Sequence, residues 1–290
     1  MLTDQEIKFL EKKANDIRMS IISMLVEAGS GHTAGPLGMA DIFSLLYFKV
    51  LVHDPKNPSW TERDRLILSN GHICPVLYST MAHSGYFSIS ELQTLRKFGS
   101  RLQGHPHREF LPYLETSSGP LGSGLSQACG MALADKMDHG TNSQKYFYCL
   151  MGDGELDEGQ NWEAIMFANK YKLRNLIAIV DRNNIQIDGF TEDIMPLNDL
   201  SEKWESFGWH VQEIDGHNFQ SMHDAINKTK VVFEKPSVII LRTIPGKGVH
   251  EFERDYNWHG KTPNKEEAEH AIKELINLRT LNSRIESEHN

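Results

Sequence analysis

Two compact apolar runs, each ending in a polar turn, constrain this chain most. Tyr146 to Met151 stops at Gly152-Asp153-Gly154, and Leu176 to Val180 stops at Asp181-Arg182-Asn183-Asn184. Residues 155 to 182, 28 positions, separate Gly154 from Asn183. That gap holds one crossover helix, and Glu158 to Tyr171 has a helical pattern. A strand–helix–strand unit of this size gives parallel neighbours whose C-terminal ends share one edge of the sheet. Ligands of open α/β sheets bind at that edge. Asp153 and Asn183 are therefore predicted to reach the same point.

The same rhythm runs through the chain. Thr3 and Glu6 have capping-box spacing, and Ile7, Leu10, Ala14, Ile17, Ile21 and Leu25 recur three or four residues apart. They predict a helix that stops at Gly29-Ser30-Gly31. Further helices are predicted over Ala40 to Val50, Pro75 to Ser84, Ile89 to Phe98, Leu125 to Met137 and Phe219 to Thr229. Strands are predicted over Arg65 to Ser69, His210 to Ile214 and Ser237 to Ile244. Alternating strands and helices predict the α/β class: a doubly wound, mainly parallel sheet with helices on both faces. We read residues 1–264 as one domain and 265–290 as a C-terminal helical tail, with Ala268, Ile272 and Leu275 as its apolar stripe.

Composition narrows the function. Thirty basic against 39 acidic residues leave a formal charge of −9 over 290 residues. A nucleic-acid binder needs a basic face, so that class is disfavoured. Cys74, Cys129 and Cys149 form no CxxC pattern and suit a reducing compartment. The acidic start, Met1 to Glu6, lacks the basic and apolar regions of a secretory signal. Ile42 to Val52 is too short to span a membrane and contains Lys49. A cytoplasmic protein is expected, bound neither to membrane nor to nucleic acid.

The candidate site residues fit a hard cation and an anion. Asp153 offers a carboxylate, Asn183 an amide oxygen and the loop after Asn184 a carbonyl. Mg²⁺ favours such oxygens and fills its octahedron with phosphate and water. Gly154 lets a phosphate approach the backbone. The alternative is a simple turn and a loop tip. Gly31-His32, Gly71-His72, Gly104-His105 and His259-Gly260 place histidines in loops, where they can donate, accept or shuttle protons. Ser118 to Leu125 is a Gly/Ser loop opening a helix, able to cradle an anion or a flat ring. It is neither a Walker loop nor a GxGxxG fingerprint. Glu158 and Glu163, unaided, read as surface carboxylates near a helix start. His217 reads as a cap or surface residue.

Taken together these segments resemble the transketolase family. Gly152-Asp153-Gly154 with Asn183-Asn184 resembles the thiamine diphosphate motif. The transketolase-like loops are Ser30-Gly31-His32 with Gly35-Pro36-Leu37-Gly38, Ser69-Asn70-Gly71-His72, Gly104-His105-Pro106, Gly119-Pro120-Leu121-Gly122 and Ile185-Gln186-Ile187-Asp188-Gly189. The resemblance runs from about Ala14 to about Gly260. It implies Asp153 and Asn183 as side-chain ligands of Mg²⁺ (or Ca²⁺ or Mn²⁺), with the carbonyl of Ile185. Gly154 and His72 become diphosphate contacts. Gly119, Pro120, Leu121, Gly122, Gly152, Glu155 and Ile187 become further cofactor contacts. His32, His72, His105 and His259 are implied as active-site histidines, and Glu158 and Glu163 as acidic residues linking two active sites.

Members of this family usually continue through two more domains, including the one that binds the aminopyrimidine. The resemblance therefore implies an N-terminal subunit of a split transketolase, completed by a C-terminal subunit in a heterotetramer. It would transfer a two-carbon ketol unit from a ketose phosphate such as xylulose 5-phosphate, in the pentose phosphate pathway. The alternative is the subunit of a related ketol transferase that acts on another sugar phosphate or a sulfonated sugar. The alpha subunit of a 2-oxo acid dehydrogenase shares only the metal motif. A catalytically silent partner would not need the histidines.

Overall fold

The computed structural model describes residues 1–140 and 142–288, with side chains described as far as residue 278. Positions 289–290 of the expected tail lie outside the described residues. From the N-terminus, α1 (Asp4–Ala28), α2 (Ala34–Gly38) and α3 (Ala40–Leu45) precede β1 (Arg65–Leu68). Helices α4 (Cys74–His83) and α5 (Ser123–His139) lead to β2 (Phe147–Gly152), and α6 (Gly159–Lys170) crosses to β3 (Leu176–Arg182). A small antiparallel ladder follows, β4 (Ile185–Gln186) with β5 (Gly189–Phe190). Then come α7 (Thr191–Ile194), α8 (Leu200–Ser206), β6 (His210–Asp215), α9 (Phe219–Lys230), β7 (Ser237–Arg242) and α10 (Lys265–Glu288).

Five strands form one parallel sheet in the order β1-β2-β3-β7-β6. Successive side chains point to opposite faces. On β3, Ile177 and Ile179 join the core under α1, α3, α4, α9 and α10, while Leu176, Ala178 and Val180 join the core under α5, α6 and α8. Burial on both faces is why this strand reads as an unbroken apolar run. β6 is an edge strand, and its sequence alternates accordingly. Chain order reverses between β3 and β7, so the crevice at the C-terminal ends of β2 and β3 borders a topological switch.

The capping box of α1 is present: Thr3 N–H donates to Glu6 Oε2 at 2.8 Å and Glu6 N–H to Thr3 Oγ1 at 3.3 Å. The helix expected over 40–50 is altered. It ends at Leu45 and widens into a π turn over Leu46–Val50, where Leu51 N–H donates to Leu46 O at 2.8 Å. The carbonyl of Tyr47 meets His53 Nε2 at 2.8 Å, outside the α ladder. The helix expected over 89–98 is a 3₁₀ segment ending at Thr94, because Arg96 turns left-handed at φ 60° and bonds Leu102 O. Asn218 caps α9 by accepting Ser221 N–H at 2.9 Å, which corrects the reading of His217 as cap. Ala268, Ala271 and Leu275 of α10 are buried in the same core as α1. Among the described residues, no helix is long and apolar enough to cross a membrane.

Candidate active site

β2 and β3 run in register, with Gly152 opposite Asp181. Asp153 and Asn183 therefore leave the sheet at one edge, as the spacing predicts. Asp153 is buried. Its Oδ1 accepts Gly154 N–H at 2.8 Å, and its Oδ2 accepts Asn184 N–H at 2.8 Å and Arg182 Nη1 at 3.1 Å. Burial nevertheless holds its carboxyl above the usual range, with Arg182 opposing. Asn183 donates from Nδ2 to Asp181 Oδ2 at 2.8 Å, and its Oδ1 accepts Ile185 N–H at 3.0 Å. Burial pushes Asp181 up to about 7, opposed by a Thr243 hydrogen bond and reinforced by the Asp153 charge.

Opposite this edge stands a wall of histidines. The ring centroids of His32 and His72 are 4.9 Å apart, those of His32 and His259 5.6 Å, and those of His72 and His259 5.3 Å. His105 joins them in lining a cleft of about 320 Å³. Burial lowers the pKa of all four, and His32 falls to about 4. They are neutral imidazoles at pH 7, each able to donate and to accept a hydrogen bond. Three buried polar atoms of the wall have no partner: His32 Nδ1, Asn70 Oδ1 and Gln186 Nε2. Each such atom costs about 1–3 kcal/mol unless a ligand or water meets it.

The charge of the lining is one-sided. Asp153, Glu155, Asp181 and Asp188 line the cleft, with no lysine or arginine beside them among the described residues. Nor do three His, Cys, Asp or Glu side chains gather there as a ready-made metal cage. The donor set fits a cation that takes one or two protein oxygens and draws its remaining ligands from an anionic group.

The chain matches the family described as transketolase, thiamine diphosphate binding domain, over residues 10–280. The chain belongs to the transketolase family. It is 43% identical over 274 residues to the 6-deoxy-6-sulfo-D-fructose transketolase subunit of a Clostridium species, which covers 94% of this chain and 98% of that one. It is 38% identical over 275 residues to human transketolase, covering 93% of this chain but 42% of the human protein. The crystal structure of transketolase from Campylobacter jejuni superimposes with a TM-score of 0.88 at 36% identity, over 94% of this chain and 43% of that one. The chain thus spans less than half the length of these full transketolases.

Within this transketolase-family fold, His32, His72, His105, His259, Gly119, Leu121, Gly152, Asp153, Gly154, Glu155, Asn183, Ile185 and Ile187 all line the cleft. Pro120 and Gly122 do not. Gly122 is left-handed at φ 84° and opens α5, where an added Cβ would lie 2.8 Å from Glu158 Cβ. Glu155 is a buried brace. It accepts Gly122 N–H at 2.7 Å, Gly152 N–H at 3.0 Å and the Ser69 hydroxyl. Glu158 and Glu163 are exposed at the start of α6, outside the cleft. Sequence reasoning missed Asn70, Asp181, Gln186 and Asp188 as lining residues. All four lie within two residues of a motif residue that was read, and that adjacency was the available signal.

Proposed function

We propose that this chain is the cofactor-anchoring subunit of a two-chain ketol transferase, which moves a two-carbon ketol unit from a ketose to an aldose phosphate. The observation that carries this is the meeting, in one cleft, of a cation-competent strand edge and a wall of neutral histidines. Asp153, the amide oxygen of Asn183 and the carbonyl of Ile185 would hold Mg²⁺, or Ca²⁺ or Mn²⁺. Gly154 leaves room for the diphosphate, and His72 contacts it. Bound thiamine diphosphate supplies the electron sink that lets the bond beside a ketose carbonyl break. His32, His105 and His259 bind sugar hydroxyls and move protons between them. Neutral rings suit that task, because each nitrogen pair offers one donor and one acceptor.

The second chain is inferred from the relatives named as subunits. One of the two chains of an apulose-4-phosphate transketolase from Phocaeicola vulgatus, itself named a subunit, is 38% identical and covered over 95% of its length. Ile187, Phe190, Ile194 and Met195 expose apolar surface around the cleft rim, in keeping with a partner there. A heterotetramer would place Glu158 and Glu163 between active sites. Three free, buried cysteines agree with a cytoplasmic protein.

Xylulose 5-phosphate is one donor to test. The names of the most similar subunits favour a second reading, in which the donor is a sulfonated sugar or a branched sugar phosphate. The experiment is to purify the chain with its C-terminal partner and supply xylulose 5-phosphate, apulose 4-phosphate and 6-deoxy-6-sulfofructose with an aldose phosphate. Turnover of at least one donor, dependent on thiamine diphosphate and Mg²⁺, is expected. No turnover of any donor, with no cofactor binding by calorimetry, would overturn the proposal.

A further inference from the structure

The histidine segments hang on a buried network that lies outside the cleft. Arg18 on α1 donates from Nη2 to Asp41 Oδ2 at 2.7 Å and from Nε to Leu37 O at 3.1 Å. His217, in the turn between β6 and α9, meets the same Asp41 oxygen through Nδ1 at 2.7 Å. Its Nε2 accepts Ile244 N–H at 2.8 Å. A ring nitrogen that accepts a backbone N–H carries no proton, so Nδ1 is the donor to Asp41 and the ring is held in one neutral tautomer. Burial alone would raise the Asp41 carboxyl. The Arg18 charge and the His217 hydrogen bond outweigh it and hold the group at about 2, so the anchor stays ionised.

Neither His217 nor Asp41 lines the cleft, yet both sit where its loops begin. Ile244 opens the 244–262 segment, which carries His259. Asp41 follows the 31–38 segment, which carries His32. The two segments also touch directly. Gly246 N–H donates to Ala34 O at 2.9 Å, Thr33 Oγ1 donates to Lys261 O at 2.6 Å, and a Cβ on Gly38 would lie 2.9 Å from Ile244 O.

We propose that His217 is a positioning residue: its bond to the Ile244 amide registers the His259 segment against the His32 segment and so sets the spacing of the two rings. The consequence for turnover rests on the ketol-transferase reading. The registration itself does not.

Two substitutions separate the two bonds of His217. His217→Gln puts an amide oxygen near the position of Nε2 and can accept the Ile244 N–H. His217→Asn puts an amide nitrogen near the position of Nδ1, can donate to Asp41, and leaves the Ile244 N–H unpartnered. His217→Ala loses both. Hydrogen exchange over residues 244–262 and kcat are measured in the assembled two-chain enzyme. An orphaned buried N–H shifts local opening by roughly tenfold or more. The Asn and Ala variants are expected to exchange at least about tenfold faster and to lose about tenfold or more in kcat. The Gln variant is expected to stay close to wild type in both, and all three are expected to bind thiamine diphosphate like wild type. Unchanged exchange in the Asn variant, or a Gln variant as impaired as Ala, would overturn the proposal. So would kcat losses that follow melting temperature and not the Ile244 bond. If the wild-type assembly transfers no ketol unit, the functional reading fails, and the exchange data still decide the registration.

Discussion

His32 makes acid sensitivity a property of the cleft. Burial is the main cause of its low pKa of about 4, with the neighbouring His259, Arg96 and His105 adding to it, against an ordinary value of 6.5. Between those two values the unfolded chain binds a proton that the folded chain refuses. Stability therefore falls as pH drops from the ordinary value and stops falling below the folded one. Over the whole window the loss is roughly 3 kcal/mol, of which roughly 2 kcal/mol has gone by about pH 5. His32→Gln removes this contribution. It also relieves His72, whose pKa is lowered in part by His32, so the variant becomes less acid-sensitive still. Urea unfolding of both proteins at about pH 7 and about pH 5 measures the effect. Wild type should lose roughly 2 kcal/mol more than the variant across that interval. Parallel profiles, within about 0.5 kcal/mol, would show that His32 is not held neutral and would refute the reasoning.

Other perturbations have equally definite signs. Asp153→Ala should weaken thiamine diphosphate binding about 100-fold or more in the assembled enzyme with Mg²⁺ present, because one carboxylate carries the protein's charge on the cation. Calorimetry with unchanged affinity would exclude Asp153 from that role. Glu155→Ala leaves the Gly122 and Gly152 amides and the Ser69 hydroxyl without their acceptor, and should cost about 3–5 kcal/mol in urea unfolding. A loss below about 1 kcal/mol would mean water replaces it. Gly246 sits at φ 77°, and a Cβ there would run into the Phe252 carbonyl, so Gly246→Ala should drop the melting temperature markedly. Gly130→Ala, mid-helix with nothing within 4 Å, should raise stability by about 0.5–1 kcal/mol.

What could be read without coordinates followed from local physics. β2 and β3 were legible because both faces are buried, which writes the strand as an apolar run, and because a polar turn ends each run at the ligand edge. The same spacing placed Asp153 beside Asn183. His217 was not legible. Its partner Asp41 lies 176 positions earlier in sequence, and nothing near a Gly-His pair announces a partner that distant. The π turn after α3 was hidden for a related reason, since it depends on where the His53 side chain goes. α8 was missed because only Leu200 and Trp204 of its seven residues are buried, too few for a pattern. Glu158 and Glu163 illustrate the converse: their neighbours in sequence belong to the cleft, while their side chains face solvent.

The acidic balance of the chain bears directly on how the site would work. Four carboxyl groups and no lysine or arginine line the cleft among the described residues, and its histidines are neutral. Side chains of this subunit therefore offer a diphosphate no countercharge. Arg182 does not supply one, because its guanidinium is engaged by Asp153 at 3.1 Å and by Glu192 at 2.5 Å. In the proposed enzyme a divalent ion has to stand between the carboxylates and the ligand. At an effective dielectric near 20, two opposite unit charges about 4 Å apart gain about 4 kcal/mol. The ion gains this on both sides, and either anion alone attracts it less. Metal and diphosphate then favour each other's binding by the same factor, which linkage requires to be reciprocal. A cleft this acidic would repel a bare diphosphate and retain a metal-bound one.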